Sequence, residues 1–299
     1  MPKDAILILR FNIEQGKKSA LFAKYKDEIV KSLAEPLSEM KAKCQFDPLE
    51  VGEELLLGVD DMAQTDAFIM VGKGAVTKEQ VTKCITQMTS AAGDANANTD
   101  EPADAKTNVT IEEDAETKIV TIKGDEEPAF LYWPGKHTVV MSTNLEKLKA
   151  SIQSAKDNKA PAVASNPNFS KAMAKYDSNA TLSVMGAFDE EFGENLKKLN
   201  PMFGFVPAMP RILGVNITAS EALGIVVDLG FASEEEAKKI AGLIALAPNL
   251  GVPEEDKDLV EAIKSEQVGS EVKVSLDLTN AQIDRLVNQA KAAQGKVGQ

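Results

Sequence analysis

Residues 55–88 read LLLGVDDMAQTDAFIMVGKGAVTKEQVTKCITQM, and residues 211–244 read RILGVNITASEALGIVVDLGFASEEEAKKIAGLI. At an offset of 156 the two stretches align without a gap, and nine of the 34 positions are identical. The identical positions include Leu57/Leu213, Val71/Val227 and Gly74/Gly230. Because self-similarity at a fixed offset is the signature of repeated structural units, the sequence predicts two diverged copies of one domain.

The order of elements around this stretch predicts the fold class. Alternating apolar residues predict a strand at Ile6–Phe11, two strands within residues 55–72, and then a helix that begins at Lys78. In the second half, a helix over Glu254–Glu266 is predicted before a strand at Glu271–Leu278. A unit of strand, helix, two strands, helix, strands and helix predicts an α+β fold, with an antiparallel or mixed sheet and helices on one face.

Two polar stretches divide the chain. Residues 153–165 are rich in Ala, Asn and Pro, which is typical of a linker. We therefore expect one domain over residues 4–152 and a second over residues 166–299. Residues 94–106 hold almost nothing that could be buried, so we expect them to form a mobile loop.

Two local patterns predict how the chain turns in the first domain. An apolar stripe at helical spacing predicts a long helix over Lys18–Lys43, kinked or divided at Pro36. Further along, Pro134-Gly135 predicts the turn between two strands, since proline fixes φ and glycine accepts a positive φ.

Charge and hydropathy argue against two classes of partner. The net charge is −13, and the chain contains only three arginines. A nucleic-acid surface needs clustered cations that displace counterions, so we expect no nucleic-acid partner. No apolar run approaches the ~18 residues of a membrane span, so we expect no span. A protein partner and the oligomeric state stay open.

The N-terminal residues leave the compartment open. Met1-Pro2-Lys3-Asp4 passes directly into an apolar run, Ala5–Leu9, that is too short for a signal peptide. The chain is therefore either cytosolic or the mature form of an exported protein with a start methionine supplied.

The nearest approach to a cofactor motif is GKGAVT at residues 72–77. It lies between a predicted strand and a predicted helix, where a dinucleotide fingerprint would lie, but the third glycine is missing. Thr77 and Gln80 form a capping box instead, and Ser233 and Glu236 form one in the second copy. We therefore expect a structural turn and no cofactor.

Acidic residues and histidine predict neither a catalytic nor a metal site. Residues 94–100, DANANTD, alternate like the start of a calcium loop, but the glycine and glutamate that an EF-hand needs are missing. A solvated loop and weak calcium binding remain the alternatives there. His137 is the only histidine, and we expect it at the surface. Carboxylate pairs such as Glu112-Glu113 lack the aromatic platforms of a glycosidase cleft.

One apolar segment is a candidate partner-binding patch. Its large side chains are Met202, Phe203, Phe205 and Met209. Because Phe205-Val206-Pro207 matches Phe46-Asp47-Pro48 of the first copy, the alternative is that the segment is covered and leads into a strand.

The two cysteines, Cys44 and Cys84, are candidates for a disulfide. In the alignment Cys84 corresponds to Ile240 and Cys44 to Phe203, so both cysteines occupy positions that are apolar in the other copy. Core residues that pack together can reach the Cα separation of a bridge. The alternative is two separate buried thiols in a reduced, cytosolic protein.

The layout resembles a loose set of uncharacterised exported proteins and lipoproteins of Gram-negative bacteria. The resemblance rests on the start Pro2-Lys3-Asp4-Ala5, on Phe46-Asp47-Pro48 after the first helix, and on the repeated α+β domain. It implies a location in the cell envelope, and no activity is assigned to the set.

Three functional hypotheses follow. The first is a non-enzymatic exported or periplasmic protein with a binding or structural role, because the sequence shows a duplicated scaffold without catalytic motifs. The second is a cytosolic scaffold or adaptor. The third is a hydrolase that uses scattered carboxylates, which a strongly raised carboxyl pKa in a concave pocket would favour.

Overall fold

The structure is a computed structural model, and the residues that it describes are 7–32, 38, 41–59, 68–91, 110–123, 127–157, 167–190, 206–246 and 252–297. The chain forms two compact units, Met1–Glu14 with Tyr25–Ser165 and Gln15–Lys24 with Asn166–Gln299. The loop over 94–106, Pro36 and most of the linker lie outside the described residues. Gln15–Lys24, which the sequence placed in the first domain, belongs to the second unit.

The elements give the α+β fold that the sequence predicted. The described strands are β1 (Leu7–Asn12), β2 (Gly52–Val59), β3 (Phe68–Gly74), β4 (Thr110–Glu113), β5 (Val120–Lys123), β6 (Ala129–Gly135), β7 (Thr138–Ser142), β8 (Leu182–Ala187), β9 (Ile212–Ala219), β10 (Leu223–Gly230), β11 (Ile263–Val268) and β12 (Glu271–Leu278). The described helices are α1 (Ile13–Lys18), α2 (Ala20–Ser32), α3 (Pro48–Val51), α4 (Lys78–Ala91), α5 (Leu145–Lys156), α6 (Pro167–Met173), α7 (Glu234–Leu246), α8 (Lys257–Glu261) and α9 (Asn280–Val297).

The first unit is built on an antiparallel sheet in the order β1-β2-β3-β7-β6-β5-β4. Leu131 of β6 packs with Val81 of α4, whereas Phe130 packs with Leu148 of α5. Since neighbouring residues of a strand point to opposite faces, α4 and α5 cover opposite faces of this sheet. The prediction of helices on one face is therefore wrong here. Consecutive apolar residues in β6 place apolar side chains on both faces of the sheet, and both faces are buried by a helix.

The second unit is built on an antiparallel sheet in the order β8-β9-β10-β12-β11. One face packs against α7, where the buried residues Ala208, Phe231, Ala237 and Val272 form a core cluster. The segment Gln15–Lys24 joins this unit, and the Leu21 N–H donates to the Ser220 carbonyl at 3.1 Å.

The second unit also departs from the helix predicted over Glu254–Glu266. A 3₁₀ turn at Glu254–Asp256 leads into α8, which ends at Glu261, and β11 follows. β11 pairs antiparallel with β12 from Ile263↔Leu276 to Val268↔Glu271. Gly269 has a φ of 56° at the turn between them. The tight turn places β11 along β12, and the ladder hydrogen bonds outweigh the local helix preference of the polar residues.

The pairing partners show that the ungapped alignment cannot hold across both strands of the repeat. Leu57 pairs with Met70, whereas Leu213 pairs with Leu229. The offset would have paired Leu213 with Val226, three positions earlier. The difference arises because residues 60–67 connect β2 to β3, whereas only residues 220–222 connect β9 to β10.

A shift by an odd number of residues exchanges the faces of a strand. Val71 pairs with Val140, which packs on the α5 side. Val227 pairs with Val274, which packs on the α7 side. Val71 and Val227, which the ungapped alignment equates, therefore face opposite sides, and the repeat of one domain is not confirmed.

The capping boxes account for the entry into α4 and α7. The Thr77 N–H donates to Gln80 Oε1 at 3.0 Å, and the Gln80 N–H donates to Thr77 Oγ1 at 3.2 Å. In the second unit the Glu236 N–H donates to Ser233 Oγ at 3.2 Å. The GKGAVT stretch thus ends a strand and starts a helix, as expected for a structural turn.

Gly242→Ala is expected to raise the free energy of unfolding by about 0.5–1 kcal/mol, because glycine is the poorer residue in a helix interior. Gly242 lies within α7, and a Cβ there would meet nothing within 4 Å. Urea denaturation of the two proteins measures the difference. A loss of stability would show that this face of α7 is covered.

Candidate functional site

A cavity of about 280 Å³ lies between α4 and the sheet of the first unit. Its lining is mostly apolar, which is typical of small-molecule sites. The apolar side chains that line it are Ile13, Phe46, Val51, Leu55, Val76, Val81, Trp133 and Val139. Three glycines, Gly52, Gly72 and Gly74, complete this part of the lining.

Gly72 leaves a gap in the floor of the cavity. It pairs with Leu55 on one side and with Val139 on the other, so the three residues point to the same face of the sheet. A Cβ at Gly72 would lie 3.3 Å from Val139 Cγ1. The missing side chain therefore opens a narrow slot between the Leu55 and Val139 side chains.

Gly74 permits a close approach of two backbone segments beside this floor. A Cβ at Gly74 would lie 2.4 Å from the Val51 carbonyl oxygen and 3.1 Å from the Gly52 Cα. The same carbonyl accepts a hydrogen bond from the Ala75 N–H at 2.9 Å. This contact holds the start of β2 against the end of β3.

A disulfide between Cys44 and Cys84 ties one wall of the cavity to α4. The two Cα atoms are 4.1 Å apart, and both residues are buried. Gln45 follows with a φ of 61°, and its N–H donates to the Lys41 carbonyl at 3.1 Å. The bridge and this reversal of the chain bring the next residue, Phe46, to the cavity.

Trp133, the single tryptophan of the chain, forms another wall. The Lys78 ammonium lies over its ring, 5.5 Å from the centroid, and also pairs with the Glu113 carboxylate at 2.8 Å. The cation–π contact holds the indole in place beside the cavity.

His137 is exposed, as predicted, and it belongs to the polar part of the cavity lining. The predicted turn at Pro134-Gly135 is wrong, because β6 continues to Gly135 and pairs there with Thr138. A register shift after Tyr132 absorbs the proline, so the turn itself is Lys136-His137.

A second, polar groove of about 490 Å³ lies on the sheet of the second unit. Asn216 fixes its wall, since Asn216 Nδ2 donates to the Lys175 carbonyl at 2.8 Å and Asn216 Oδ1 accepts from the Asp177 N–H at 3.2 Å. Asp228 and Asp277 also line this groove. They lie four residue steps apart along the sheet, about 13 Å, which exceeds the spacing of a glycosidase carboxyl pair of about 5–9.5 Å.

Burial raises the pKa of Asp228, and the nearby Lys175 and Lys273 ammonium groups oppose the shift. The folded carboxyl therefore takes up a proton at a higher pH than the unfolded one. Its contribution to the free energy of unfolding is complete below the unfolded pKa of about 3.9, and it is lost as pH rises from there through the raised pKa of the folded carboxyl. Asp228→Asn is expected to increase the free energy of unfolding at neutral pH, and the gain should vanish towards the ordinary aspartate pKa. Urea denaturation as a function of pH measures it. A gain that grows on acidification would contradict the shift.

The candidate partner patch is only partly within the described residues. Met202, Phe203 and Phe205 lie outside them. Met209 is half-buried, and its neighbour Ala208 is buried in the α7 core cluster. The site that sequence reasoning missed is the apolar cavity. Its signal was the set of glycines inside strand patterns at Gly52, Gly72 and Gly74, since strand glycines mark close approaches.

No family model and no curated protein matches the chain. Among solved structures, a match is crystal form I of TP0453, a Treponema protein, with 10% identity, a TM-score of 0.42, and coverage of 95% of this chain and 93% of that chain. At this identity and TM-score the likeness carries no inference about fold or function. Within the described part of the chain, no helix is both long and apolar enough to cross a membrane.

Proposed function

We propose that the protein is a non-enzymatic exported binding protein, and that it holds a small apolar ligand in the cavity of its first unit. The observation that carries the proposal is the cavity itself, whose floor is opened by Gly72 and whose wall is tied to α4 by the Cys44–Cys84 bridge.

The lining supports binding of an apolar molecule without a charge. Apolar side chains and glycines make up most of the lining, and transferring an unpaired charge into such surroundings is costly. The cavity volume of about 280 Å³ is close to the lower end of small-molecule clefts, about 300 Å³. The ligand is therefore small, and any polar group on it would pair with the polar residues of the lining, which are Glu54, Lys73, His137 and Thr138.

The disulfide supports export. Disulfides persist in oxidising compartments and are rare in the reducing cytosol. A bridge that is buried beside the cavity also keeps the wall in position without a ligand, which lowers the entropic cost of binding.

The apolar fluorophore N-phenyl-1-naphthylamine tests the proposal, because the single Trp133 in the cavity wall can transfer excitation energy to it. We expect saturable fluorophore emission with quenching of Trp133 emission. Gly72→Val should abolish both, and Val81→Phe should do so from the opposite wall. Gly224→Val in β10 is the matched control, since a Cβ there has its nearest neighbour, Asp277 Oδ1, at 3.5 Å. The proposal would be refuted if the fluorophore emission did not saturate. It would also be refuted if folded Gly72→Val and Val81→Phe variants bound the fluorophore as well as the wild-type protein does.

A further inference from the structure

We infer that the ligand is a planar aromatic molecule, and that Gly72 is the residue that selects for it. The inference rests on the proposed function and names the class of ligand that the cavity accepts.

The width of the slot over Gly72 favours a flat group. Leu55, Gly72 and Val139 stand side by side on three adjacent strands, and each strand is about 4.8 Å from the next. A Cβ built on Gly72 would lie 3.3 Å from Val139 Cγ1, so this Val139 methyl group reaches over Gly72 and narrows the slot. An aromatic ring carries no hydrogens on its faces, so it is thinner than a saturated chain or ring.

The walls of the cavity provide aromatic partners for such a ring. Phe46 and Trp133 both line it, and aromatic pairs gain more than their buried area when they meet edge to face or offset. The position of Trp133 is held from outside the cavity by the Lys78 ammonium. The position of Phe46 follows from the neighbouring Cys44–Cys84 bridge. The Lys78 contact and the nearby bridge thus restrain the two rings before a ligand enters.

Competition against bound N-phenyl-1-naphthylamine tests the inference with three alcohols that have the same number of non-hydrogen atoms. They are 2-naphthol, which is planar, decahydro-2-naphthol, which has the same skeleton but is saturated, and 1-decanol, which is linear. We expect 2-naphthol to displace the fluorophore at a concentration about tenfold lower than the other two. Hydrophobicity alone predicts the reverse order, because both saturated alcohols are more apolar.

The outcomes separate this inference from the proposed function. If the fluorophore binds and a saturated alcohol displaces it as well as 2-naphthol does, the selection of planar ligands is wrong and the binding function stands. If the fluorophore does not bind to the wild-type protein, both are wrong. Direct calorimetric titration gives the role of Gly72: Gly72→Ala should weaken 2-naphthol at least about tenfold, whereas Gly224→Ala should not. If a folded Gly72→Ala variant bound 2-naphthol with the same affinity as the wild-type protein, Gly72 would not be the residue that selects the ligand.

Discussion

The double substitution Cys44→Ser/Cys84→Ser is expected to lower the free energy of unfolding by about 4 kcal/mol on the chain-entropy model of a cross-link. The bridge joins residues 40 positions apart, and its loss frees that loop in the unfolded state. It also leaves two buried hydroxyl groups in an apolar setting, since both cysteines are buried. Urea denaturation of the oxidised wild type and the double variant measures the loss.

Reduced wild-type protein is the control for this prediction, because it lacks the bridge but keeps the sulfur atoms. It should fall between the oxidised protein and the serine variant. A loss below about 1 kcal/mol for the serine variant would show that the wall of the cavity is held by other contacts. For the compartment, protein taken from its native source after thiol blocking should show no blocked cysteine, and two blocked cysteines would favour the cytosolic alternative.

Gly74→Ala is expected to lower the free energy of unfolding by about 3 kcal/mol, the upper part of the range for overpacking. The added Cβ would lie 2.4 Å from the Val51 carbonyl oxygen, and this neighbour is backbone that cannot rotate away. Relief requires that the start of β2 move from β3, which breaks the hydrogen bond from the Ala75 N–H to the same carbonyl. Thermal and urea unfolding both measure the loss.

Gly72→Ala is the matched control for Gly74→Ala, because the two glycines lie in the same strand. Its Cβ would meet a Val139 methyl group at 3.3 Å, and a side chain can adjust by a few tenths of an ångström. Its expected cost is therefore below about 1 kcal/mol. Equal losses for the two variants would show that the contact between Gly74 and Val51 is not close in solution.

Local patterns predicted those elements whose signal lies within a few residues. The strand Glu271–Leu278 has the predicted bounds, and α4 begins at the predicted Lys78, because alternation and a capping box are local features. β11 was predicted as a helix, since its identity depends on β12 as a partner and not on its own polar residues. The turn at Lys136-His137 likewise depends on a register shift in β6 that no local pattern shows.

The two aligned stretches have the same structure over only part of their length. It holds from the end of the strands into the helices, since Gly74 and Gly230 both end strands and Lys78 and Glu234 both begin helices. Ile240, which led to the prediction for Cys84, accordingly packs in the α7 core. The alignment fails in β3 and β10, where Val71 and Val227 face opposite sides, because the connection from β2 to β3 is longer than the one from β9 to β10.

The cavity could not be predicted from the sequence, because its parts come together only in the fold. Leu55, Gly72 and Val139 become neighbours through strand pairing, and Phe46 reaches them through the bridge to α4. A cavity is the space that side chains leave, and its size depends on long-range packing. The glycines within the strands were the only feature of the sequence that indicated the cavity.

Methyl NMR of the labelled wild-type protein during titration with N-phenyl-1-naphthylamine tests the central claim, the cavity as a binding site, most directly. We expect the largest saturable shifts at the methyl groups of Leu55, Val81 and Val139, which line the cavity. The methyl groups of Val226, in the polar groove of the second unit, should stay unchanged and are the internal reference. Saturable shifts at Val226 with none at Leu55, Val81 and Val139, or shifts that grow linearly without saturation, would contradict the assignment of the binding site to the first unit.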